Sequence, residues 1–359
     1  MRTVWIGLCL CLLLPFLTPS AAAEETLDLS PLEEAAGEFA PEVDWALGPD
    51  WDKGLEALLD TGTDQVFGVL RRAVKSGTLL LVIVLFCALA EGTAKLGGGS
   101  FQATNMVGMM AVCAVSVSDI HSLMGLGRET IQLMAGFGNL LLPTLAAAAA
   151  AGGTPASAAA RQMATLLFSD LLIQLISKVL IPLTYLYVAV CAAYGAIGNG
   201  GLKRIAKTLK GAVTGCLTAM LVAFWGYLTV SGVIAGSADA LSVKTAKMAI
   251  SGMVPVVGGV LSDAAETVLA SAGILRNAIG VFGMLAILGM CLAPFLQMGV
   301  HYLVYKLAAT LAGTIADGKV VELIDSIGGA FALELGMVAS CGMLLLFGVI
   351  SCLNATGAV

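Results

Sequence analysis

From residue 76 onward the chain runs through one apolar stretch after another, most of them near the roughly twenty residues that a helix needs to cross the ~30 Å hydrocarbon core of a bilayer. That recurrence leaves no room for a water-soluble core, because the same residues cannot both face lipid and fill a globular interior. Composition agrees: 58% of residues are hydrophobic, 12% are charged and the mean hydropathy is +0.95, whereas soluble domains carry about a quarter charged residues. The expected fold class is all-α, a polytopic integral membrane helical bundle with amphipathic or re-entrant helices.

The N-terminus reads MRTVWIGLCLCLLLPFLTPSAAAEE, with Arg2, an apolar core from Val4 to Leu17, Pro19, and small residues Ala21 and Ala23 before Glu24. This is the pattern of a cleavable signal peptide over 1–23. An acidic extracytoplasmic segment follows at 24–75, with short amphipathic helices expected in WDKGLEALLD and DQVFGVLRRAV, and 76–359 forms the membrane domain. The net charge of −6 is concentrated there: residues 24–64 hold thirteen Asp or Glu and one Lys, Lys53, while the chain beyond residue 70 is mildly basic. A run of this kind is a solvated tail or a docking segment.

Candidate spans fall at 76–96, 103–120, 131–151, 162–197, 211–235, 278–298, 299–316 and 328–353. As one helix, 162–197 would be about 54 Å long, so it reads as two short spans breaking near Lys178 and Pro182, or as one kinked helix. Lys203, Arg204, Lys207 and Lys210 follow the glycine-rich GNGG at 198–201, which places that loop in the cytoplasm by the positive-inside rule. An outward residue 24 then requires an odd number of crossings before the loop. Splitting 162–197 gives five and a single span gives four, so the split is favoured. Arg71, Arg72 and Lys75 run against this topology.

Chemistry-bearing patterns are few. Beyond the signal peptide, the cysteines stand singly in apolar runs, and His121 and His301 have no partner at metal-ligand spacing, so neither a metal nor another cofactor is expected. No GxxxxGK[ST], GxSxG or HExxH occurs, so the chain does not read as an enzyme and ATP-driven work would come from another chain. Ionisable residues within apolar stretches carry more information, because a charge at membrane depth is costly. These are Asp170, Lys178, Lys306 and Glu334. Snorkelling at a helix end suits the two lysines; Asp170 and Glu334 are open to interhelical bonding or to a water-filled path.

The segment PVVGGVLSDAAET at 255–267 keeps two carboxylates in a chain this apolar. Val256, Val257, Val260, Leu261, Ala264 and Val268 follow helical spacing, with Asp263, Glu266 and Thr267 opposite them. Pro255 suits a helix start, Gly258 and Gly259 allow a bend or close packing, and Lys244 and Lys247 lie upstream. The helix lies flat at the interface or enters as a re-entrant element lining a polar cavity. A paired acid/base site is the weakest of the three readings, since no substrate-positioning groups accompany it.

KTAKMAISGMVPVVGGVLSDAAETVLASAGILRNAIG at 244–280, followed by VYKLAATL at 304–311, closely resembles the stage III sporulation protein AE family of endospore-forming bacteria. The overall plan of signal, acidic lead-in and Gly/Ala-rich membrane domain is similar too. The resemblance implies a place in the mother-cell membrane around the forespore, with the mature N-terminus on the intermembrane side. It implies partners: the stage III proteins AA to AH, among them an ATPase-like AA and ring-forming AG and AH, and indirectly stage II sporulation protein Q. It also implies a core role in a secretion-like or feeding channel needed for late forespore development, with no catalytic residues.

On that footing Lys244, Lys247, Pro255, Gly258, Gly259, Asp263, Glu266 and Thr267 become candidates for lining a conduit or touching a partner. Membrane lipid and further copies of the chain are expected neighbours, and nucleic acid is not. The competing class is an autonomous secondary transporter of a small solute, which would use broken helices such as those at Pro182 and Pro255 and usually an internal repeat; no convincing repeat is found. An intramembrane enzyme is disfavoured for want of a nucleophile and base.

Overall fold

The computed structural model describes residues 51–97, 101–151, 155–253, 258–316 and 318–353; the signal-peptide region lies outside them. Among the described residues there are only helices: α1 (Trp51–Gly97), α2 (Phe101–Ala151), α3 (Pro155–Leu175), a π-helical turn (Ile176–Leu180), α4 (Ile181–Ile197), α5 (Gly200–Met253), α6 (Gly258–Ile315) and α7 (Lys319–Leu353). Six stretches are long and apolar enough to cross a membrane: Phe67–Gly92, Met106–Ala151, Ala158–Ile197, Gly200–Val230, Asn277–Ile315 and Lys319–Leu353. Many large apolar side chains on them are exposed, among them Phe86, Val107, Leu167, Val222, Trp225 and Leu307. A water-soluble monomer does not present so much apolar surface; lipid is the solvent that suits it.

The observed spans correct three expectations. The runs at 103–120 and 131–151 are one helix, α2, and those at 278–298 and 299–316 are one helix, α6. The expected split of 162–197 does not occur either, because α3, the π turn and α4 follow one another without a break. Pro182 stands at the first turn of α4, where its missing N–H is no loss. In an ordinary α-helix its ring would meet the carbonyl four residues back. The π turn widens the backbone just there, with the Ile181 N–H reaching back five residues to the Ile176 carbonyl, so the chain continues instead of reversing.

The reversal comes after α4, at Gly198, whose φ of 76° is left-handed. Its N–H donates to the Tyr194 carbonyl at 2.7 Å, a glycine helix cap. A side chain there would also strike Lys319. Asn199 starts α5 by accepting the Gly201 N–H at 2.9 Å.

Three connections share one end of the bundle: Gly108 lies against Cys87 and Val320, Gly195 against Met109, and Gly198 against Lys319. At the other end Gly280 lies against Leu353, and Arg161 donates to the Ser351 carbonyl. α7 threads between these ends and touches every other helix. Its contacts rely on small residues: Gly342 receives Cys291, Gly348 receives Thr165, and Gly138 of α2 receives Leu345. In lipid no hydrophobic drive pulls helices together, so close backbone approach of this kind supplies the packing energy.

Substitution at these contacts is expected to separate from substitution at open ones. A Cβ at Gly348 would stand 3.1 Å from the Cβ of Thr165, a β-branched side chain with little χ1 freedom. Gly348→Leu should therefore cost about 1–3 kcal/mol by overpacking, whereas Gly226, which has nothing within 4 Å, should accept Ala with little change. Thermal unfolding of the two variants in detergent checks the contrast.

Candidate functional site

The amphipathic element singled out in the sequence belongs to α6. Gly258, Gly259, Asp263, Glu266 and Thr267 lie in its first turns, on the same continuous helix as the apolar stretch Asn277–Ile315. Asp263 thus stands about 21 Å along the helix axis from Asn277, at 1.5 Å per residue, on the same helix side as Glu266. Lys244 and Lys247 lie on α5; Pro255, and the side chains of all these residues, lie outside the described set.

Asp170 and Lys178 do not face the interior. Both are exposed, joined along the outside of their own helix by Gln174, whose Nε2 donates to Asp170 Oδ2 at 2.8 Å and whose Oε1 accepts from Lys178 Nζ at 3.2 Å. Of the two readings open for Asp170, interhelical bonding is not found: its partner is Gln174 of its own helix, in an i, i+4 ladder. Lys306 reaches α7, where it pairs with Asp325.

Glu334 is the interior member of the set. It is 0% exposed, and neither carboxylate oxygen has a hydrogen-bond partner among the described residues. The space that holds it is made by Gly127 of α2, where a Cβ would collide with Oε1 and would stand 3.1 Å from the Met298 methyl. Arg128, next to that glycine, supplies an opposite charge within electrostatic reach. Burying an ionisable group without partners is costly, and inside a membrane segment such a group marks a functional position by default.

One helical turn from Glu334, the Phe331 ring meets the edges of Tyr305 and His301 of α6, at centroid distances of 5.0 and 6.1 Å. Tyr305 is fully buried. Its hydroxyl donates to Asp119 Oδ2 at 2.8 Å and approaches Ser116 Oγ at 3.2 Å, both on α2. The His301 Nδ1 lies 2.7 Å from the Gln297 carbonyl. Asp119, Gln297 and His301 open onto a cleft of about 420 Å³ between α1, α2 and α6, which Arg72, Lys75 and Ser76 close from the α1 side. A seam of hydrogen-bonded and aromatic side chains therefore runs from this cleft to Tyr305 and Phe331, one turn of α7 from Glu334. Among the described residues no group of three or more His, Cys, Asp or Glu could hold a metal ion.

The seam's other members escaped the sequence reading, since Tyr305 and Asp119 are 186 positions apart. A local signal was present in SVSDIHS at 116–122, four polar or ionisable positions beside His121 inside an apolar run.

The sequence profile described as "Stage III sporulation protein AE" matches residues 51–357. The chain belongs to the stage III sporulation protein AE family. A curated relative, "Stage III sporulation protein AE" of Bacillus subtilis (strain 168), is 26% identical over 259 residues, covering 70% of this chain and 63% of the relative. No solved structure matches. Membership establishes a sporulation family, and the six apolar helices fit a membrane protein.

Two substitutions test the seam. Tyr305→Phe removes the donor to Asp119 and should cost about 1–3 kcal/mol, read as a lower unfolding temperature in detergent. Glu334→Met removes an unpartnered buried acid of similar length and should leave stability unchanged or raise it by about 1–4 kcal/mol, while lowering the sporulation that the variant supports. Loss of folding in Glu334→Met would show that the carboxyl is structurally required.

Proposed function

We propose that the protein is the membrane-embedded core component of a channel joining mother cell and forespore during sporulation, with no turnover of its own. In this reading it lies in the mother-cell membrane with its mature N-terminus on the intermembrane side. It assembles with the stage III proteins AA to AH, including the ATPase-like AA and the ring-forming AG and AH, and through them with stage II sporulation protein Q. The observation that carries the proposal is family membership over residues 51–357, joined to a bundle that keeps polar groups inside and on its flank. A self-sufficient apolar anchor needs neither the buried Glu334 nor the outward ladder of Asp170, Gln174 and Lys178.

The start of α6 is the proposed contact. Asp263 and Glu266, three positions apart on one helix side, offer paired charges to water in a conduit or to a basic partner. Lys244 and Lys247 orient the element. Asp263→Ala combined with Glu266→Ala is expected to reduce co-purification of the partner proteins and late forespore gene expression severalfold in sporulating cells. Normal assembly and normal expression in that double variant would sink the role.

Glu334 gives the rival reading its one specific support, because an autonomous secondary transporter places an ionisable group at membrane depth to couple substrate to ions. The purified protein in liposomes separates the two. Ion-coupled solute uptake by this chain alone would favour the transporter, and its absence alongside partner-dependent function in cells would favour the channel component.

A further inference from the structure

Arg71, Arg72 and Lys75 form a cationic cluster on α1 just ahead of its long apolar run, where, with residue 24 outside, the positive-inside rule disfavours it. Two of the three, Arg72 and Lys75, line the cleft between α1, α2 and α6, and Arg71 does not. Opposite them stand the hydroxyls of Ser118 and Ser122, with the Gln297 amide and the His301 ring on the third helix. Two cations and several neutral donors around about 420 Å³ suit a phosphate. Asp119 at the same wall has one oxygen accepting from Tyr305, and its carboxylate can also accept from a hydroxyl on the ligand.

The surface beyond the cleft says what the phosphate is attached to. Along α1 the cations continue into Leu79, Val82, Phe86 and Leu89, spaced three or four apart and therefore on one helix face. All four apolar residues are exposed. From Leu79 to Leu89 the stripe is about 15 Å long, the depth of one leaflet of a ~30 Å hydrocarbon core. A charged cleft opening onto an apolar stripe one leaflet long has the shape of an amphiphile.

We propose that this cleft is a binding site for an anionic phospholipid with a hydroxyl-bearing headgroup. Arg72 and Lys75 hold the phosphate, Asp119 accepts from the headgroup hydroxyl, and an acyl chain lies on the Leu79 to Leu89 stripe. The site accounts for cations where topology alone disfavours them, and it is independent of the channel proposal.

The test is native mass spectrometry of the full-length protein in detergent, titrated separately with phosphatidylglycerol, phosphatidylcholine and inorganic phosphate. Phosphatidylglycerol is expected to be retained in preference to phosphatidylcholine, and Arg72→Gln with Lys75→Gln should weaken it by about tenfold or more. Arg71→Gln should leave retention unchanged, and Leu79→Asn with Val82→Asn should weaken the lipid. Should the double cation variant fail to purify as a folded protein, Lys75→Gln alone carries the comparison, with Lys75→Arg expected to restore retention. Equal retention of the two lipids, or full retention by the cation variants, would overturn the site. Displacement of phosphatidylglycerol by inorganic phosphate at equal concentration would show that the cleft reads a free anion, which overturns the lipid assignment.

Discussion

Close approach of α7 to every other helix is the constraint on which this bundle depends. α7 contributes a long series of buried positions, from Val320 to Cys352, and at Gly342 and Gly348 it admits side chains of α6 and α3, while Leu345 enters the space at Gly138 of α2. With lipid as solvent these fits have no hydrophobic drive to fall back on. The same device shapes the interior acid site, because Gly127 leaves the space that the Glu334 Oε1 occupies. Packing and the candidate site are thus two uses of one feature, a small residue opposite a large one.

The seam follows from that geometry. Once α7 lies at the centre, Phe331 and Glu334 point toward α2 and α6, and Tyr305 of α6 is carried to Asp119 and Ser116 of α2. Residues from three helices are then linked through aromatic edges and hydrogen bonds. A chain whose only task was to remain in a membrane could fill these positions with leucine at lower cost.

How legible this was in the sequence differs by feature. The class and the apolar runs could be read directly, since composition and span length answer to the bilayer. The span count could not, for two reasons. Hydropathy dips at Asp119, Arg128 and Gln297 look like loops but are polar stations within continuous helices, and Pro182 looks like a break but is absorbed by the π turn. The two misreadings cancel in parity: five expected crossings before the lysine-rich loop become three, and both are odd. α2 also shows why counting twenties fails. Its apolar stretch of 46 residues is about 69 Å long, more than twice a hydrocarbon core. Among site residues Glu334 was visible as an acid in an apolar run, and Asp170 was visible by the same signal, although their environments are opposite. Pattern reports that a charge is present; only packing reports which way it faces.

The most direct test of this architecture is the sidedness of Ala151 and Asn199, which bracket α3, the π turn and α4. Single cysteines at these two positions, in a version with the native cysteines replaced and expressed in non-sporulating cells, where the membrane faces the medium, can be labelled in intact cells with a membrane-impermeant reagent. One continuous crossing predicts that the two probes lie on opposite sides, so that one of them and not the other is labelled from outside. Labelling of both from outside, or protection of both until the membrane is opened, would mean that the chain crosses an even number of times between them and would contradict the bundle described above.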